Sequence, residues 1–173
     1  MKTFIIIGIC LSMALLSCQN TSKETNTEQT YQEPVSKSLS EKDISRLKYV
    51  EYTLDVKTEN AIKEWLKYND LEDIVENVKK GDLSYFNDNK KAIKTLLQEL
   101  TKTIPDTVNT PSVTARITAL ETKLYKLESL ANLQTTSKQE LGGIIREFLQ
   151  AFSNLNFQMN KKLEKDSQHI EIP

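Results

Sequence analysis

Residues that break regular structure are scarce in this chain of 173 residues, which contains four glycines and four prolines. Good helix formers such as lysine, glutamate and leucine are abundant instead. A β-sandwich needs many tight turns and strands rich in β-branched residues, so this composition argues against it. Few breakers and many helix formers favour long helices.

An excess of charge of one sign is also missing, because 23 basic residues face 24 acidic ones and the formal net charge is −1. A protein that binds nucleic acid through the phosphate backbone needs a basic face. We therefore expect no nucleic-acid partner.

Cysteine and histidine, the residues most used in metal sites and nucleophilic catalysis, are nearly absent. Cys10 and Cys18 both lie within the first 18 residues, so no disulfide or cysteine-based metal site can form in the rest of the chain. The single histidine, His169, follows Asp166 by three residues, a spacing found in metal sites of helical bundles, but it occurs once and near the chain end. We interpret His169 as a solvated tail residue and predict no metal, no cofactor and no enzymatic activity.

The N-terminus has the layout of a signal peptide. Lys2 precedes an apolar stretch of 13 residues, Phe4 to Leu16, and Ser17 and Cys18 follow it. A spanning helix needs about 20 apolar residues, so this stretch is too short for a stable anchor.

The four residues "LLSC", Leu15 to Cys18, resemble the lipobox of bacterial lipoproteins. The resemblance implies that residues 1–17 are removed, that Cys18 is acylated, with palmitate as one of its chains, and that the lipid bilayer is a partner through these chains. It implies a location in the cell envelope, and Gln19 after the cysteine implies the outer membrane. The alternatives are an ordinary signal peptide with a coincidental cysteine and a cytosolic protein with an apolar first helix.

Residues 18–39 are polar and lack any hydrophobic period. Such a segment cannot bury enough apolar surface to offset the entropy of ordering, so we predict a lipidated, disordered tether. A flexible chain of about 21 residues has a root-mean-square reach of roughly 25 Å.

A helical period dominates residues 40–166, for which we predict an all-α, antiparallel up-and-down bundle of about four helices. The first helix is predicted to run from an N-cap at Ser40 to a stop at Gly81, and a break within it would make five helices. The second helix is predicted to begin at Asp82 or Ser84. The third and fourth follow the caps Thr110 and Ser137, and residues 167–173 are expected to fray.

Two pairs of side chains are candidates for ligand contacts. Trp65 and Tyr68 could line a groove for an apolar ligand or a sugar, or they could fill the core. Arg116 and Arg146 each border an apolar stripe, where an arginine could bind a carboxylate or phosphate ligand or form a structural ion pair.

Gly142 and Gly143 stand early in the fourth predicted helix, although each costs about 1 kcal/mol there relative to alanine. We expect a packing reason, namely that Trp65 or a tyrosine rests on this notch, with ligand binding at the notch as the alternative. Acidic residues also cluster on one predicted helix, which we interpret as a solvated face: Asp70, Glu72, Asp73 and Glu76.

Two hypotheses about function follow. The first is a membrane-anchored, non-enzymatic envelope lipoprotein that acts as a scaffold or protein-interaction module and contacts an envelope protein. The second is a helical bundle that binds a small ligand in a groove between helices. In its amino-acid composition, which is rich in lysine, asparagine and threonine and poor in glycine, the helical part resembles lipoproteins of the Bacteroidetes type. This resemblance implies no particular activity.

Replacing Cys18 with alanine should abolish the labelling of this protein by radioactive palmitate in cells, because the acylated thiol is then missing. The circular dichroism of the purified protein should be unchanged. Labelling that persists in the Cys18→Ala variant would contradict lipid attachment at this residue.

Overall fold

The computed structural model describes residues 38–168, and this part of the chain is all-α. The predicted signal peptide, Cys18, most of the tether and His169 lie outside the described residues. Six α-helices and one 3₁₀ turn, Ser84–Phe86, make up the described part: α1 Glu41–Ile44, α2 Val56–Ile62, α3 Leu66–Lys79, α4 Lys90–Lys102, α5 Pro111–Asn132 and α6 Lys138–Ser167. None of these helices combines the length and apolar character needed to cross a membrane.

The predicted starts of α5 and α6 are confirmed. The Thr110 side chain accepts a hydrogen bond from the Val113 N–H, and Pro111 occupies the first turn, where a missing N–H leaves no partner unsatisfied. Ser137 and Glu140 form the predicted capping box, in which each side chain accepts from the backbone N–H of the other residue.

Gly81 ends α3, as predicted. Its φ of 85° lies in the left-handed region, and its N–H donates to the Val78 carbonyl at 3.0 Å. The Asp82 N–H donates to the Asn77 carbonyl at 2.9 Å, which completes a Schellman motif and satisfies two carbonyls of the last turn.

The prediction of one long helix from Ser40 to Gly81 is wrong, because this stretch forms three helices, α1 to α3. Residues 47–55, the strap, form no helix and connect α1 to α2. Their path is extended, because the hydrogen bonds of Val50 and Asp55, five residues apart, reach side chains of α6 that are ten helical positions, or about 15 Å, apart. The strap contains Tyr49, Val50, Tyr52 and Thr53, aromatic and β-branched residues that lose rotamer freedom in a helix. Asp55 then starts α2 as an N-cap by accepting from the Thr58 N–H at 2.7 Å.

The second predicted helix also begins later than expected, at Lys90 instead of near Ser84. Asp88 adopts a φ of 50°, a value that Asn and Asp tolerate better than other residues with a side chain. The side chain of Asn132 fixes this corner, since it accepts from the Asp88 N–H and donates to the Phe86 carbonyl.

The core is built mainly on α6, which packs along α5 and is also contacted by α1, α2 and α3. The predicted apolar stripes of the third and fourth helices are buried, including Ile117 and Leu124 on α5 and Phe148 and Leu155 on α6. Val50 and Leu66 fit the helical period of the predicted first helix, but they are 55% and 67% exposed because the chain is extended or turns there.

Two glycine-to-alanine replacements should shift stability in opposite directions. A Cβ at Gly81 would lie 2.4 Å from the Leu39 carbonyl oxygen and would require a positive φ, so Gly81→Ala should lower the free energy of unfolding by at least about 1–2 kcal/mol. A Cβ at Gly143 meets no atom within 4 Å, so Gly143→Ala should raise it by about 0.5–1 kcal/mol. Urea denaturation of the purified protein measures both, and a destabilised Gly143→Ala variant would contradict the structure at that position.

Candidate functional site

The strap lies against α6, and side chains of that helix bond its backbone. Gln150 accepts from the Val50 N–H at 3.1 Å and donates to the Val50 carbonyl at 3.3 Å. Ser153 accepts from the Tyr52 N–H at 2.6 Å and donates to the Val50 carbonyl at 2.7 Å. The extended backbone thus obtains from side chains the hydrogen bonds that a helix or sheet would otherwise supply.

Asn156, which is 4% exposed, links the strap to the core. Its amide donates to the Tyr52 carbonyl at 3.1 Å, and its Oδ1 accepts from the Tyr68 hydroxyl at 2.8 Å. Burial raises the pKa of Tyr68, so the phenol stays protonated and remains a donor to Asn156. Both ends of the Asn156 amide are therefore engaged.

Asn160 holds the end of the strap by accepting from the Asp55 N–H at 3.1 Å and donating to the Thr53 carbonyl at 2.8 Å. The four side chains that bond the strap form one row along α6, the polar row: Gln150, Ser153, Asn156 and Asn160. Their spacing of three or four residues places them on one helix face.

An ion-pair network ties the strap to α3. Lys79 contacts Glu51 of the strap at 2.7 Å and Glu76 of its own helix at 2.8 Å. Burial disfavours the charged form of Lys79, but the hydrogen bonds with both carboxylates outweigh it and raise the pKa of Lys79, so this cation persists at neutral pH.

A groove of about 260 Å³, the basic groove, lies where the strap, α5 and α6 meet. Four cationic side chains and one carboxylate line it: Lys48, Arg116, Lys123, Arg146 and Glu147. Its other lining residues are Tyr49 of the strap, two alanines and two amides: Ala119, Ala151, Gln150 and Asn154. The chain as a whole is slightly acidic, so this concentration of positive charge is local.

The arginines of the groove differ from its lysine at position 123 in their pairing. Lys123 donates to Glu147 at 3.0 Å, and this hydrogen bond, together with the charges of Lys123, Lys126 and Arg146, lowers the pKa of Glu147 despite some burial. Within residues 38–168, no carboxylate forms an ion pair with Arg116, Arg146 or Lys48. The three cations therefore keep their capacity to bind an anion.

The chemistry of the groove suits an oxyanion. A guanidinium presents planar pairs of N–H donors that match carboxylate or phosphate oxygens, and charge-assisted bonds of this kind are stronger than neutral ones. The alanine methyl groups add a short apolar wall, and the Gln150 and Asn154 amides add polar contacts.

The structure brings Arg116 and Arg146 together in one groove, although they are 30 positions apart in the sequence, and the other predicted site residues do not line that groove. Trp65 and Tyr68 are 2% and 1% exposed and fill the core. Their rings stack at 5.5 Å, and the Trp65 indole N–H donates to the Thr103 hydroxyl at 3.2 Å.

The hypothesis that Trp65 or a tyrosine rests on Gly142 and Gly143 is wrong. The nearest atoms to a Cβ placed at Gly142 are methyl groups of Leu39 and Leu47, at 3.8 and 3.9 Å. Leu39 is buried and Leu47 half-buried, so the residues on either side of α1 cover this part of α6 instead. Gly143 has open space around its α-carbon.

The predicted acidic cluster lies on the exposed face of α3, where Asp70 pairs with Lys67 and Glu76 with Lys79. In the described residues, no group of three or more histidine, cysteine, aspartate or glutamate side chains is arranged to hold a metal ion.

Sequence reasoning missed the polar row and the contribution of Lys48 and Tyr49 to the groove. One signal was present: Ser153 and Asn156 interrupt an apolar helix face at core positions, which is unusual unless each finds a hydrogen-bond partner. The position of Lys48 depends on the extended strap and had no local signal.

Comparisons of this chain with protein families, with curated proteins and with solved structures each found no match. Function is therefore inferred from the geometry of the described residues and from the N-terminal sequence.

Replacing Asn156 with alanine should lower the free energy of unfolding by about 1–3 kcal/mol, because the buried Tyr68 hydroxyl and the Tyr52 carbonyl lose their partner. Asn154→Ala is the matched control, since this half-buried amide bonds only Gln150 and should cost less than about 0.5 kcal/mol. Denaturant unfolding compares the two, and equal values would contradict the role of Asn156.

Proposed function

We propose that this chain is a membrane-tethered, non-enzymatic binding protein whose helical domain takes an oxyanion, a carboxylate or phosphate group, in the basic groove. The observation that carries this proposal is the convergence on one groove of Arg116, Arg146 and Lys48, none of which forms an ion pair with a carboxylate of residues 38–168. It favours the ligand-binding hypothesis over the purely structural interpretation of the arginines, which required ion pairs for them.

The size of the groove restricts its ligand. Sites for small molecules span about 300–1,000 Å³, so a groove of about 260 Å³ suits a small acid or the acidic end of a larger molecule. The methyl groups of Ala119 and Ala151 favour a ligand with a short apolar part next to its anionic group.

A binding role fits the groove better than catalysis. General acid–base catalysis is most efficient when the pKa of the catalytic group lies near the working pH. Glu147, the one carboxylate in the groove, has a lowered pKa and is paired with Lys123, so it stays ionised near neutrality.

The remaining parts of the proposal concern architecture and location. We propose that α3 to α6 form an antiparallel up-and-down bundle, because each helix packs on the next and α3 also contacts α6.

We propose that residues 1–17 are a lipoprotein signal peptide and that Cys18 carries the lipid, on the strength of the "LLSC" sequence. A groove on a lipid tether would then sample ligands near an envelope membrane.

A second candidate is a scaffold or protein-interaction module that contacts an envelope protein. Large apolar side chains that are exposed on the strap and α2 favour it, chiefly Val50 at 55% and Val56 at 73%. The two candidates differ in what the groove does, since a scaffold needs no affinity for small anions.

Inorganic phosphate and citrate are suitable probes for the groove. We expect either anion to bind the purified full chain, kept in a non-ionic detergent, and the Arg116→Gln/Arg146→Gln variant to bind about tenfold more weakly. The reason is that loss of charge-assisted hydrogen bonds worth about 1.4 kcal/mol lowers affinity by that factor. NMR titration at constant ionic strength, with chloride as the exchanged ion, measures the affinity and removes general screening effects.

Arg46→Gln is the matched control, because Arg46 is the third arginine of the chain and does not line the groove. Its affinity should stay within about twofold of the unaltered protein. A second comparison, Arg116→Lys, keeps the charge but loses the planar pair of donors, and should recover part of the affinity. Equal losses in the Arg46 and Arg116/Arg146 variants, or no binding at all, would leave the scaffold as the better candidate.

A further inference from the structure

The basic groove is not complete without the strap. Helices α5 and α6 supply Arg116, Lys123 and Arg146, but Lys48 and Tyr49 come from the extended residues 47–55. If the strap left α6, the groove would lose one of its four cations and the side that Tyr49 contributes.

The strap is held in a way that allows it to leave. Much of it is exposed, as at Val50 and Thr53, and its backbone is fastened to α6 by side-chain hydrogen bonds of the polar row. Three of its apolar side chains are only partly buried where they pack on the core, and four of its seven hydrogen bonds to the polar row are exposed to solvent. A segment held in this way opens locally more often than a fully buried core helix does. The elements on either side are better anchored, since Ile44 of α1 and Ile62 of α2 are buried.

Gln150 connects the two features. Its amide lines the groove, and the same amide bonds both the N–H and the carbonyl of Val50. A ligand that shifts the Gln150 amide in the groove therefore also changes the hydrogen bonds that hold Val50 of the strap.

The charges of the groove oppose docking of the strap when no anion is present. Lys48 lies among three other cations, and only Glu147 offsets them, itself engaged by Lys123. An oxyanion between Lys48 and the two arginines would replace this repulsion by attraction. A ligand that binds one conformation better than another shifts the equilibrium toward it, and the coupling is reciprocal.

We propose that an oxyanion bound in the basic groove locks the strap onto the polar row of α6, so that anion binding and strap docking are coupled. This inference rests on the proposed function, because it requires an anion in the groove.

Hydrogen exchange with and without inorganic phosphate tests the coupling in the purified full chain, at constant ionic strength. Saturating phosphate should slow exchange of the Tyr52 and Asp55 amides at least about fivefold, because both N–H groups are bonded by the polar row only when the strap is docked. The Arg116→Gln/Arg146→Gln variant should lose this protection, and the Arg46→Gln variant should keep it.

The Lys48→Gln variant gives an effect of opposite sign. Without phosphate its strap amides should exchange more slowly than in the unaltered protein, since a cation that repels the groove is gone. With phosphate it should gain little further protection, because the ligand has lost its contact with the strap.

The reverse effect, of strap docking on anion binding, is tested with Ser153→Ala. This variant loses the hydrogen bonds to Val50 and Tyr52 but keeps every residue that lines the groove. Circular dichroism checks that the Ser153→Ala variant is folded, and the folded variant should bind phosphate about threefold more weakly than the unaltered protein. Asn160→Ala is the second variant, to be used if Ser153→Ala does not fold. Phosphate binding that leaves the exchange of Tyr52 and Asp55 unchanged would overturn the coupling and leave the proposed function intact. Absence of phosphate binding would overturn both.

Discussion

The structure depends on one constraint, the need of an extended backbone for hydrogen-bond partners. Within residues 38–168 the strap has no neighbouring strand, and its residues 48–54 make no backbone–backbone hydrogen bond, so their N–H and carbonyl groups would be unsatisfied against the packed helices. The polar row of α6 supplies those partners, and its central residue, Asn156, is fixed in turn by the buried Tyr68 hydroxyl. Core packing and the path of the strap are thereby set by the same side chains.

The position of the strap has a consequence for electrostatics. It carries Lys48 toward the two arginines of α5 and α6, while its next acidic residue, Glu51, pairs with Lys79 on α3. Positive charge is thus concentrated on one side of the strap and neutralised on the other. Like charges held close together raise the free energy of the domain, and an oxyanion bound among them relieves this cost. In the basic groove, the stability of the domain and its affinity for an anion therefore depend on the same charged residues.

Much of the helical layout was predictable from the sequence, because its determinants are local. The capping box at Ser137, the Thr110–Pro111 start and the stop at Gly81 each involve residues within a few positions of one another. The long first helix was wrong for the opposite reason. Its apolar residues kept a helical spacing through Val50, but long-range hydrogen bonds to α6 stabilise the extended form over the local preference. Of the candidate site residues, Arg116 and Arg146 were identified correctly as neighbours of the core stripes, but their meeting in one groove was not predictable.

By itself the sequence determined the all-α class, the starts of α5 and α6, the end of α3 and the chemistry available to a site, since composition, caps and hydrophobic periodicity act over a few residues. The "LLSC" resemblance at the N-terminus likewise belongs to the sequence alone, because Cys18 lies outside the described residues. Only the tertiary structure decided that residues 47–55 are extended, that Trp65 and Tyr68 are core residues, and that Lys48 joins Arg116 and Arg146. The physical reason is distance along the chain: the strap's hydrogen bonds to the polar row join residues 100 to 107 positions apart, and no local pattern encodes such a pairing.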